Sequence, residues 1–377
     1  MHVALDASDL TSDRLDGTTV YARELLPRLA RLLADHGHRV TAFAPRPLVA
    51  PFPAGDRIEF RQLRGRRFWT QTVLSRALFT VQPDILFLPI QTVPLYRPRG
   101  LRVVATVHDL DFLNFPETYT FGNRLLLRWF TRVVARNASH LIAVSQTTRE
   151  AVTRHYRRPP EDITVVHHGY DEHRFRVPPA EERASETARV RTRYHLPPET
   201  ILFVGALQPR KNIAGLLSAY EELVRAGEER DLVIVSGNAW KSSGILDRIE
   251  ASEANSRIHL LRSVPHEDLP AIYWNASVLV LPSFAEGFGL PVIEAMACGI
   301  PTVVSRGTAL EEIAGGASEI VDPRDPSSIA LGMKYVLSNP QRGEELRTQG
   351  RERARNFSWD RCADETAAVI EKISGMG

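Results

Sequence analysis

Cysteine is nearly absent from this chain: Cys298 and Cys362 are the only two among its 377 residues. Two cysteines cannot build the multi-disulfide framework of small secreted proteins, or a cluster of thiolates around a metal ion. The sequence also lacks any apolar run approaching the roughly 20 residues that a membrane-spanning helix needs. Because no basic segment followed by a long apolar segment opens the sequence, we expect no secretory signal and a cytoplasmic location.

Lysine is scarce as well, since arginine outnumbers it 43 to 4. Residues 1–170 hold 23 arginines, no lysine and 15 acidic residues, a net charge of +8, and the rest of the chain carries −6. The densest basic stretch contains Arg57, Arg61, Arg64, Arg66 and Arg67 and runs into Phe68 and Trp69. This Arg57–Trp69 region fits a peripheral contact with the inner face of the plasma membrane or an anionic acceptor, and equally a solvated loop in an arginine-rich protein.

The length of the chain fits two domains of roughly 150–200 residues. Short β-branched runs alternate with amphipathic helical stretches, and the alternation restarts near residue 200. This pattern predicts an α/β protein with two doubly wound parallel sheets. The predicted strands are 2–6, 39–44, 57–63, 84–88, 101–106, 139–144 and 162–166, then 200–205, 231–236, 257–261, 277–281, 301–305 and 318–321.

The expected domain boundaries follow from composition. We assign residues 1–177 to an N-terminal domain, 178–198 to a linker, 199–356 to a C-terminal domain and 357–377 to a terminal helix. The linker assignment rests on two Pro-Pro pairs around a charged segment with few apolar residues. In doubly wound sheets, ligands bind outside the carboxyl ends of the strands, so each domain can carry one substrate.

The most informative stretch runs from Phe284 to Glu294 and places Glu286 and Glu294 eight positions apart around a glycine-rich turn. A buried strand is predicted before this turn and a helix after it, with Pro291 in the first helical turn. Unpaired backbone donors and a partial positive charge at a helix N-terminus suit an anionic or hydroxyl-rich ligand. The alternative is a strand–turn–helix connection with two solvated glutamates.

Two more strand-to-helix turns carry candidate phosphate contacts. In the turn from Gly205 to Lys211, Arg210 can grip two phosphate oxygens and Lys211 adds a compact charge, so the pair could neutralise a departing diphosphate. A surface turn with two cations is the alternative. Gly17 follows the first strand and opens a helix, where a glycine either admits a phosphate or simply makes a turn.

His108 ends a predicted strand and is followed by Asp109 and Asp111. The Asp-x-Asp spacing is not by itself a divalent-metal motif, because a metal site needs converging ligands that a sequence cannot show. His108 could also be a histidine at the edge of a site with no chemical role. We interpret His167, His168, Tyr170 and Asp171 as structural.

Taken together, these motifs resemble the retaining, GT-B-fold glycosyltransferases of family 4 (group 1), particularly bacterial mannosyltransferase-like members. The resemblance covers nearly the whole chain. It rests on residues 284–301, 201–212, 107–110, Phe115 to Glu117, 143–145, 167–171 and 357–359, which occur in the family's order. It implies two Rossmann-like domains facing across a cleft, with a C-terminal helix crossing back to the first. One departure is Ala206, where many members have arginine directly after the glycine; Arg210 would substitute.

The resemblance also implies roles for individual residues. Glu286 would bind the hydroxyls of the donor sugar, Glu294 the ribose hydroxyls, and His108 the transferred sugar. The implied catalytic residues are His108, Glu286, Arg210 and Lys211; the implied donor-binding residues are Gly17, Gly205, Arg210, Lys211, Gly287, Phe288, Gly289, Leu290 and Glu294; and Asp109 and Asp111 lie on the acceptor side. No cofactor and no metal are implied, only a nucleotide-diphosphate sugar as co-substrate.

The expected function is therefore transfer of a hexose, with retention, to a carbohydrate or lipid-linked acceptor in polysaccharide biosynthesis. Mannose is the first guess for the sugar and GDP-mannose for its donor, and no nucleic-acid partner is expected. The alternatives are a GT-B-fold sugar-nucleotide epimerase and a non-catalytic sugar-nucleotide-binding protein. An NAD-dependent dehydrogenase is poorly supported, because no Gly-x-Gly-x-x-Gly motif opens either domain. We expect the 178–198 linker and the crossing near Phe357 to act as hinges.

Overall fold

The computed structural model describes residues 1–12, 16–65, 68–115, 120–237 and 243–375. The chain divides into two compact units, each built around a parallel sheet of its own. Unit 1 comprises Met1–Gly169 and Ser358–Gly377, and unit 2 comprises Tyr170–Phe357. The polypeptide therefore leaves unit 1 once, builds the whole of unit 2, and returns to unit 1 for its last helix.

The described part of unit 1 contains a seven-stranded parallel sheet with the order β3-β2-β1-β4-β5-β6-β7. Its strands are β1 His2–Asp6, β2 Arg39–Ala44, β3 Ile58–Gln62, β4 Ile85–Leu88, β5 Arg102–Val107, β6 His140–Ala143 and β7 Ile163–Val165. The central strands are buried almost throughout, as expected for a sheet covered on both faces. The helices that cover it are α1 Gly17–Asp35, α2 Ser75–Val81, α3 Asp111–Asn114, α4 Phe121–Asn137 and α5 Gln146–Tyr156.

Unit 2 contains, within its described residues, a six-stranded parallel sheet with the order β10-β9-β8-β11-β12-β13. Its strands are β8 Thr200–Val204, β9 Leu232–Ser236, β10 Ile258–Arg262, β11 Ala276–Leu281, β12 Thr302–Ser305 and β13 Glu319–Val321. Its helices are α6 Ala180–Tyr194, α7 Ile213–Arg225, α8 Ser243–Glu250, α9 Leu269–Trp274, α10 Leu290–Ala297, α11 Ala309–Ala314, α12 Pro326–Ser338 and α13 Pro340–Ala354. Both sheets have the strand order of a Rossmann fold.

The last helix, α14 Trp359–Ser374, packs along α1 in unit 1. Two polar contacts join the helices at opposite ends. Arg28 pairs with Asp360 at 2.9 Å between Nε and Oδ1, and the rings of His36 and His38 both lie within hydrogen-bond distance of the Glu371 carboxylate. The predicted fold class, with two doubly wound sheets and a C-terminal helix that returns to the first, is confirmed.

The segment expected to be a linker, residues 178–198, has a different structure. It contains helix α6, which belongs to unit 2 and packs against α9. Arg189 and Arg193 each form an ion pair with the buried carboxylate of Asp268, at 2.7 and 2.8 Å. The boundary between the units falls after Gly169 rather than at residue 177. The proposed hinge role of this region stays a prediction.

Candidate active site

The strand order of unit 2 reverses direction between the neighbouring strands β8 and β11. In open parallel sheets, ligands bind at the carboxyl ends of the strands at such a reversal, because the two following loops diverge there. The loop after β8 carries Arg210 and Lys211, and the loop after β11 carries Glu286. The two motifs that the sequence singled out therefore lie side by side at the reversal point.

Asn212 fixes these two loops against each other. It adopts a left-handed conformation with φ of 56°, and its side-chain oxygen caps α7 by accepting from the Gly215 amide at 3.2 Å. Its side-chain nitrogen donates to the carbonyl of Pro282 at 3.0 Å and to that of Pro323 at 2.6 Å. We did not predict this role, although an asparagine directly before an amphipathic helix is a recognised N-cap signal.

Glu286 is held by two cations and a hydroxyl. Lys211 Nζ donates to Oε1 of Glu286, Arg210 Nη1 donates to Oε2 at 3.2 Å, and Ser283 Oγ donates to Oε1 at 2.8 Å. The Glu286 side chain is only 7% exposed, against 13% for Lys211 and 16% for Arg210. These charges therefore interact in surroundings that screen them much less than water does.

Burial by itself raises the pKa of the Glu286 carboxyl. The charges of Lys211 and Arg210, with the hydrogen bonds from Lys211 and Ser283, outweigh that effect and leave the pKa below its ordinary value. Glu286 is thus a carboxylate at neutral pH. Two cations and one carboxylate give this cluster a net charge of +1, so it can accept a further anion such as a phosphate group.

The turn that follows Glu286 has a conformation that requires glycine. Gly289 has a φ of 114°, and a Cβ there would lie 2.4 Å from the Leu310 side chain. Phe288 is buried and packs edge-on against Phe357, with ring centroids 5.9 Å apart. Leu290 is the first residue of α10, and Gly287 is partly exposed. The structure thus uses the Phe288 side chain for packing, so donor binding here would involve backbone groups.

Glu294 lies one turn inside α10 and is partly buried. The hydroxyl of Tyr273 donates to its Oε2 at 2.8 Å. Burial raises the pKa of Glu294 to about 7, the charge of Asp171 acts in the same direction, and the hydrogen bond from Tyr273 opposes them. The two glutamates of the motif therefore differ: Glu286 is fully ionised and ion-paired, whereas Glu294 is close to half-protonated near neutral pH.

The two predicted glycine positions have different surroundings. At Gly205, at the end of β8, a Cβ would lie 3.3 Å from the Phe203 ring, so the backbone is closely packed there. Gly17 is the exposed first residue of α1 in unit 1, and a Cβ there would meet no atom within 4 Å. Asp16 caps the helix by accepting from the Thr19 amide at 3.0 Å. The fold itself therefore does not demand a glycine at position 17.

His108 lies at the carboxyl end of β5 in unit 1 and is buried. Its Nε2 donates to the carbonyl of Pro89 at 2.8 Å, which leaves Nδ1 as the acceptor nitrogen of the neutral ring. Burial lowers the pKa of His108, while the Pro89 hydrogen bond and the charges of Asp109 and Asp16 partly oppose it. The ring contacts Tyr21 and His168, and His168 stacks on Trp359 at the start of α14 with centroids 5.6 Å apart.

The two predicted acceptor-side aspartates shape the chain after β5. Asp109 Oδ1 accepts from the Asp111 amide at 3.1 Å, and Asp111 is buried as the first residue of α3. Across the described ranges, no group of three or more His, Cys, Asp and Glu side chains could hold a metal ion. Pro116 and Glu117, part of the acceptor-side motif, lie outside the described residues.

The structure places the tryptophan of the Arg57–Trp69 region in the core. Trp69 is buried, and its Nε1 donates to the buried carboxylate of Asp6 at 3.0 Å. Arg57 donates to the Gly37 carbonyl and Arg61 pairs with Glu59. Arg66 and Arg67 lie outside the described residues. Phe68 is exposed, whereas Trp69 belongs to the core, so its ring is not part of the exposed surface; a membrane contact through the rest of this region stays a prediction.

Comparison with known families agrees with this geometry. The family model described as "Glycosyl transferases group 1" matches residues 185–357, and the model described as "Glycosyltransferase Family 4" matches residues 15–174. The chain is 32% identical over 274 residues to O-antigen chain mannosyltransferase B of Escherichia coli, covering 72% of this chain and 71% of that protein. This chain is a group 1 glycosyltransferase of family 4.

Other relatives of this glycosyltransferase extend the comparison. It is 33% identical over 288 residues to the MMP alpha-(1->4)-mannosyltransferase of Mycolicibacterium hassiacum, covering 72% of this chain and 66% of that enzyme. Sucrose-phosphate synthase from Thermosynechococcus elongatus superposes with a TM-score of 0.76 at 19% identity, each chain covered completely. The structure of Anabaena HepE in complex with UDP-glucose superposes with a TM-score of 0.73 at 16% identity. The match covers 99% of this chain and all of the HepE chain. The likeness to both structures confirms the GT-B fold.

The predicted residues of this glycosyltransferase fall into two groups. Arg210 and Lys211 each contact Glu286 in unit 2, where Gly205, Gly289 and Glu294 also lie. Gly17, His108, Asp109 and Asp111 belong to unit 1. The sequence analysis did not identify Ser283, Tyr273 or Asn212, which hold Glu286, Glu294 and the two loops. Tyr273 and Asn212 contact residues that are distant in the sequence, so only the fold brings these partners together. Ser283 and Glu286 are three residues apart and form a local pair.

The raised pKa of Glu294 predicts how the stability of this glycosyltransferase depends on pH. Between about pH 4.5 and 7, the folded chain keeps a proton on Glu294 that the unfolded chain releases. This favours folding at low pH, and the contribution is lost as the pH rises through about 7. Glu294→Gln stays neutral, so its free energy of unfolding should rise relative to wild type between about pH 5 and pH 8.

Urea unfolding of both proteins at the two pH values measures this difference, with Glu345→Gln on the exposed surface of α13 as the matched control. If the difference in free energy of unfolding between wild type and Glu294→Gln does not change with pH, the raised pKa of Glu294 is contradicted. For the control variant, the difference in free energy of unfolding from wild type should be the same at both pH values.

Proposed function

We propose that this glycosyltransferase transfers mannose from GDP-mannose, with retention of the anomeric configuration, to a carbohydrate or lipid-linked acceptor. The observation that carries the proposal is the cluster of Arg210, Lys211 and Glu286 at the strand-order reversal of unit 2. The mannosyltransferases of E. coli and M. hassiacum support mannose as the transferred sugar. HepE, which was solved with UDP-glucose, supports a nucleotide-diphosphate sugar as the donor class.

The charges of the cluster suit the departure of a nucleoside diphosphate. When the bond between the anomeric carbon and the diphosphate oxygen breaks, that oxygen gains negative charge. Lys211 and Arg210 would stabilise this charge, since the fold already orients them and little reorganisation is needed. Glu286, fixed by the same cations, would accept hydrogen bonds from the hydroxyls of the donor sugar. The Oε1 atom of Glu294 would accept from the ribose hydroxyls, next to the Oε2 atom that binds Tyr273.

Retention would follow from a same-face substitution. The acceptor hydroxyl attacks the anomeric carbon from the face that the diphosphate leaves, and its proton passes to the departing phosphate oxygen. No covalent sugar–enzyme intermediate is needed on this route. His108, held through Nε2 by the Pro89 carbonyl, would offer its neutral ring to the transferred sugar.

We also propose that the reaction requires no divalent metal and no other cofactor. The leaving group needs positive charge, and Arg210 and Lys211 can supply it. A sugar-nucleotide epimerase is the alternative function for the same fold. It is not favoured, because the relatives compared above are named as sugar transferases.

A donor screen tests the proposal. The protein, treated with chelator, is assayed for nucleoside-diphosphate release across GDP- and UDP-sugars, with and without acceptor glycans. We expect GDP-mannose to be turned over fastest, with acceptor, and NMR of the product to show the donor's anomeric configuration. Preference for a UDP-sugar would refute the donor assignment. Activity lost to chelator and restored by Mg²⁺ or Mn²⁺ would refute metal independence. An epimerised sugar nucleotide formed without acceptor would favour the epimerase.

A further inference from the structure

Helix α4 of unit 1 exposes a row of large apolar side chains. Phe121 is 74% exposed, Leu125 59% and Trp129 46%, and Leu126 beside them is also exposed. Phe121, Leu125 and Trp129 recur every fourth residue, so they lie along one face of the helix. Contiguous exposed apolar surface of this kind marks a site that binds a partner or a membrane.

The same helix carries a row of arginines and no acidic residue. Arg124, Arg128, Arg132 and Arg136 also recur every fourth residue, which gives residues 121–137 a net charge of +4. Within the described part of the chain, none of the four pairs with a carboxylate, and Arg124 lies over the Phe121 ring at 5.5 Å. Residues 1–170 as a whole carry +8. The helix is therefore both apolar and strongly cationic on its exposed side.

The fully buried residues of α4 all lie in its second half, and Leu127 in the first half is only partly buried against the core of unit 1. The buried residues are Thr131, Val134 and Ala135, and none lies among residues 121–130. By contrast, α1 buries eight residues spread along its length. The first turns of α4 thus carry Phe121, Leu125 and Trp129 at the surface, where the fold of unit 1 makes little use of them.

We propose that α4 docks on an anionic lipid bilayer, lying in the plane of the membrane interface. Its apolar row would enter the boundary between headgroups and acyl chains, where tryptophan is favoured, and its arginines would bind the lipid phosphates. Charge complementarity selects this occupant, because an anionic surface matches a helix without acidic residues. No helix in the described ranges is long and apolar enough to cross a membrane, so α4 lies on the bilayer.

This surface differs from the Arg57–Trp69 region, where Trp69 is part of the core. The inference does not depend on the donor, the acceptor or the chemistry proposed above, since it concerns binding of the ligand-free protein. It can therefore be tested without any activity assay.

Co-flotation of the full chain with vesicles tests the proposal. The vesicles contain phosphatidylcholine alone or mixed with phosphatidylglycerol, and neither nucleotide nor acceptor is added. We expect binding to the anionic vesicles that weakens with salt. Leu125→Gln/Trp129→Gln should lower the partition coefficient at least about tenfold. Arg128→Gln/Arg132→Gln should lower it about fivefold per arginine, on anionic vesicles only.

The matched control is Leu331→Gln/Tyr335→Gln on α12, which removes two exposed apolar residues with the same spacing from unit 2. This variant should bind like wild type. The proposal is overturned if wild type does not float with anionic vesicles, or if the α12 variant loses as much binding as the α4 variants. It is also overturned if sedimentation without lipid shows a wild-type dimer that the α4 variants dissociate, because the face would then bind a second copy. Unchanged thermal unfolding verifies that each variant is folded.

Discussion

Replacing Lys211 by alanine is expected to lower kcat by about 30- to 900-fold, a loss on the order of 2–4 kcal/mol of transition-state stabilisation. Two physical effects combine. The departing diphosphate loses a cation that is only 13% exposed, where screening by water is weak. Glu286 also loses one of its two donors at Oε1, and only the Ser283 hydroxyl remains there, so the pKa of Glu286 should rise towards the value that burial favours. Activity of the variant should therefore fall further at acidic pH than that of wild type.

Steady-state kinetics at saturating donor, measured across a pH series, check this prediction. Lys211→Arg keeps the charge but changes its geometry, so its loss should be smaller. Lys334→Ala, on the exposed face of α12, removes a lysine outside the cluster and should leave kcat unchanged. Near wild-type turnover in the double variant Arg210→Ala/Lys211→Ala would rule out the diphosphate role of the pair.

Glu286→Gln is expected to reduce turnover about 10- to 150-fold, as for the loss of a charged hydrogen-bond acceptor worth roughly 1.5–3 kcal/mol. It should also bind the free nucleoside diphosphate more tightly than wild type. In the wild-type site, Lys211 and Arg210 share their charge with the Glu286 carboxylate. The neutral amide releases both cations for the diphosphate. Turnover and ground-state binding should thus change in opposite directions.

Glu294→Gln is the matched comparison, because it makes the same chemical change eight residues later. It should weaken binding of the free nucleotide by roughly 1.5–3 kcal/mol, because an amide replaces the carboxylate that is proposed to accept hydrogen bonds from the ribose hydroxyls. Titration calorimetry with GDP, alongside kinetics, separates the two variants. If Glu294→Gln binds GDP as tightly as wild type while Glu286→Gln does not, the two roles are assigned in reverse.

Much of the fold could be predicted from the sequence, because a parallel sheet covered on both faces leaves short apolar runs such as β4 and β9. Helices α6 and α13 are harder to predict, for physical reasons. Helix α6 buries only Val190, so its pattern resembles a charged linker. Helix α13 contains Gly350, which helix propensity disfavours. A Cβ there would lie 3.1 Å from the Met296 side chain, so the glycine reflects close packing of α13 on α10.

The candidate site was predictable to a smaller extent. Arg210, Lys211 and Glu286 could be assigned to the carboxyl edge of one sheet, because each follows a predicted strand. That they pair with one another could not be predicted, since Lys211 and Glu286 are 75 residues apart and the pairing depends on which strands are neighbours. The burial that raises the pKa of Glu294 to about 7 depends in the same way on the folded chain.

The return of α14 to unit 1 has a consequence for biosynthesis. Unit 2 is continuous in sequence and can fold as it leaves the ribosome, whereas unit 1 must wait for residues 359–374, which are made after all of unit 2. Until then, the nascent chain carries α1 without the helix that packs along it, a state that chaperones would be expected to bind. A premature stop before Trp359 would therefore remove part of the core of unit 1, not a dispensable tail.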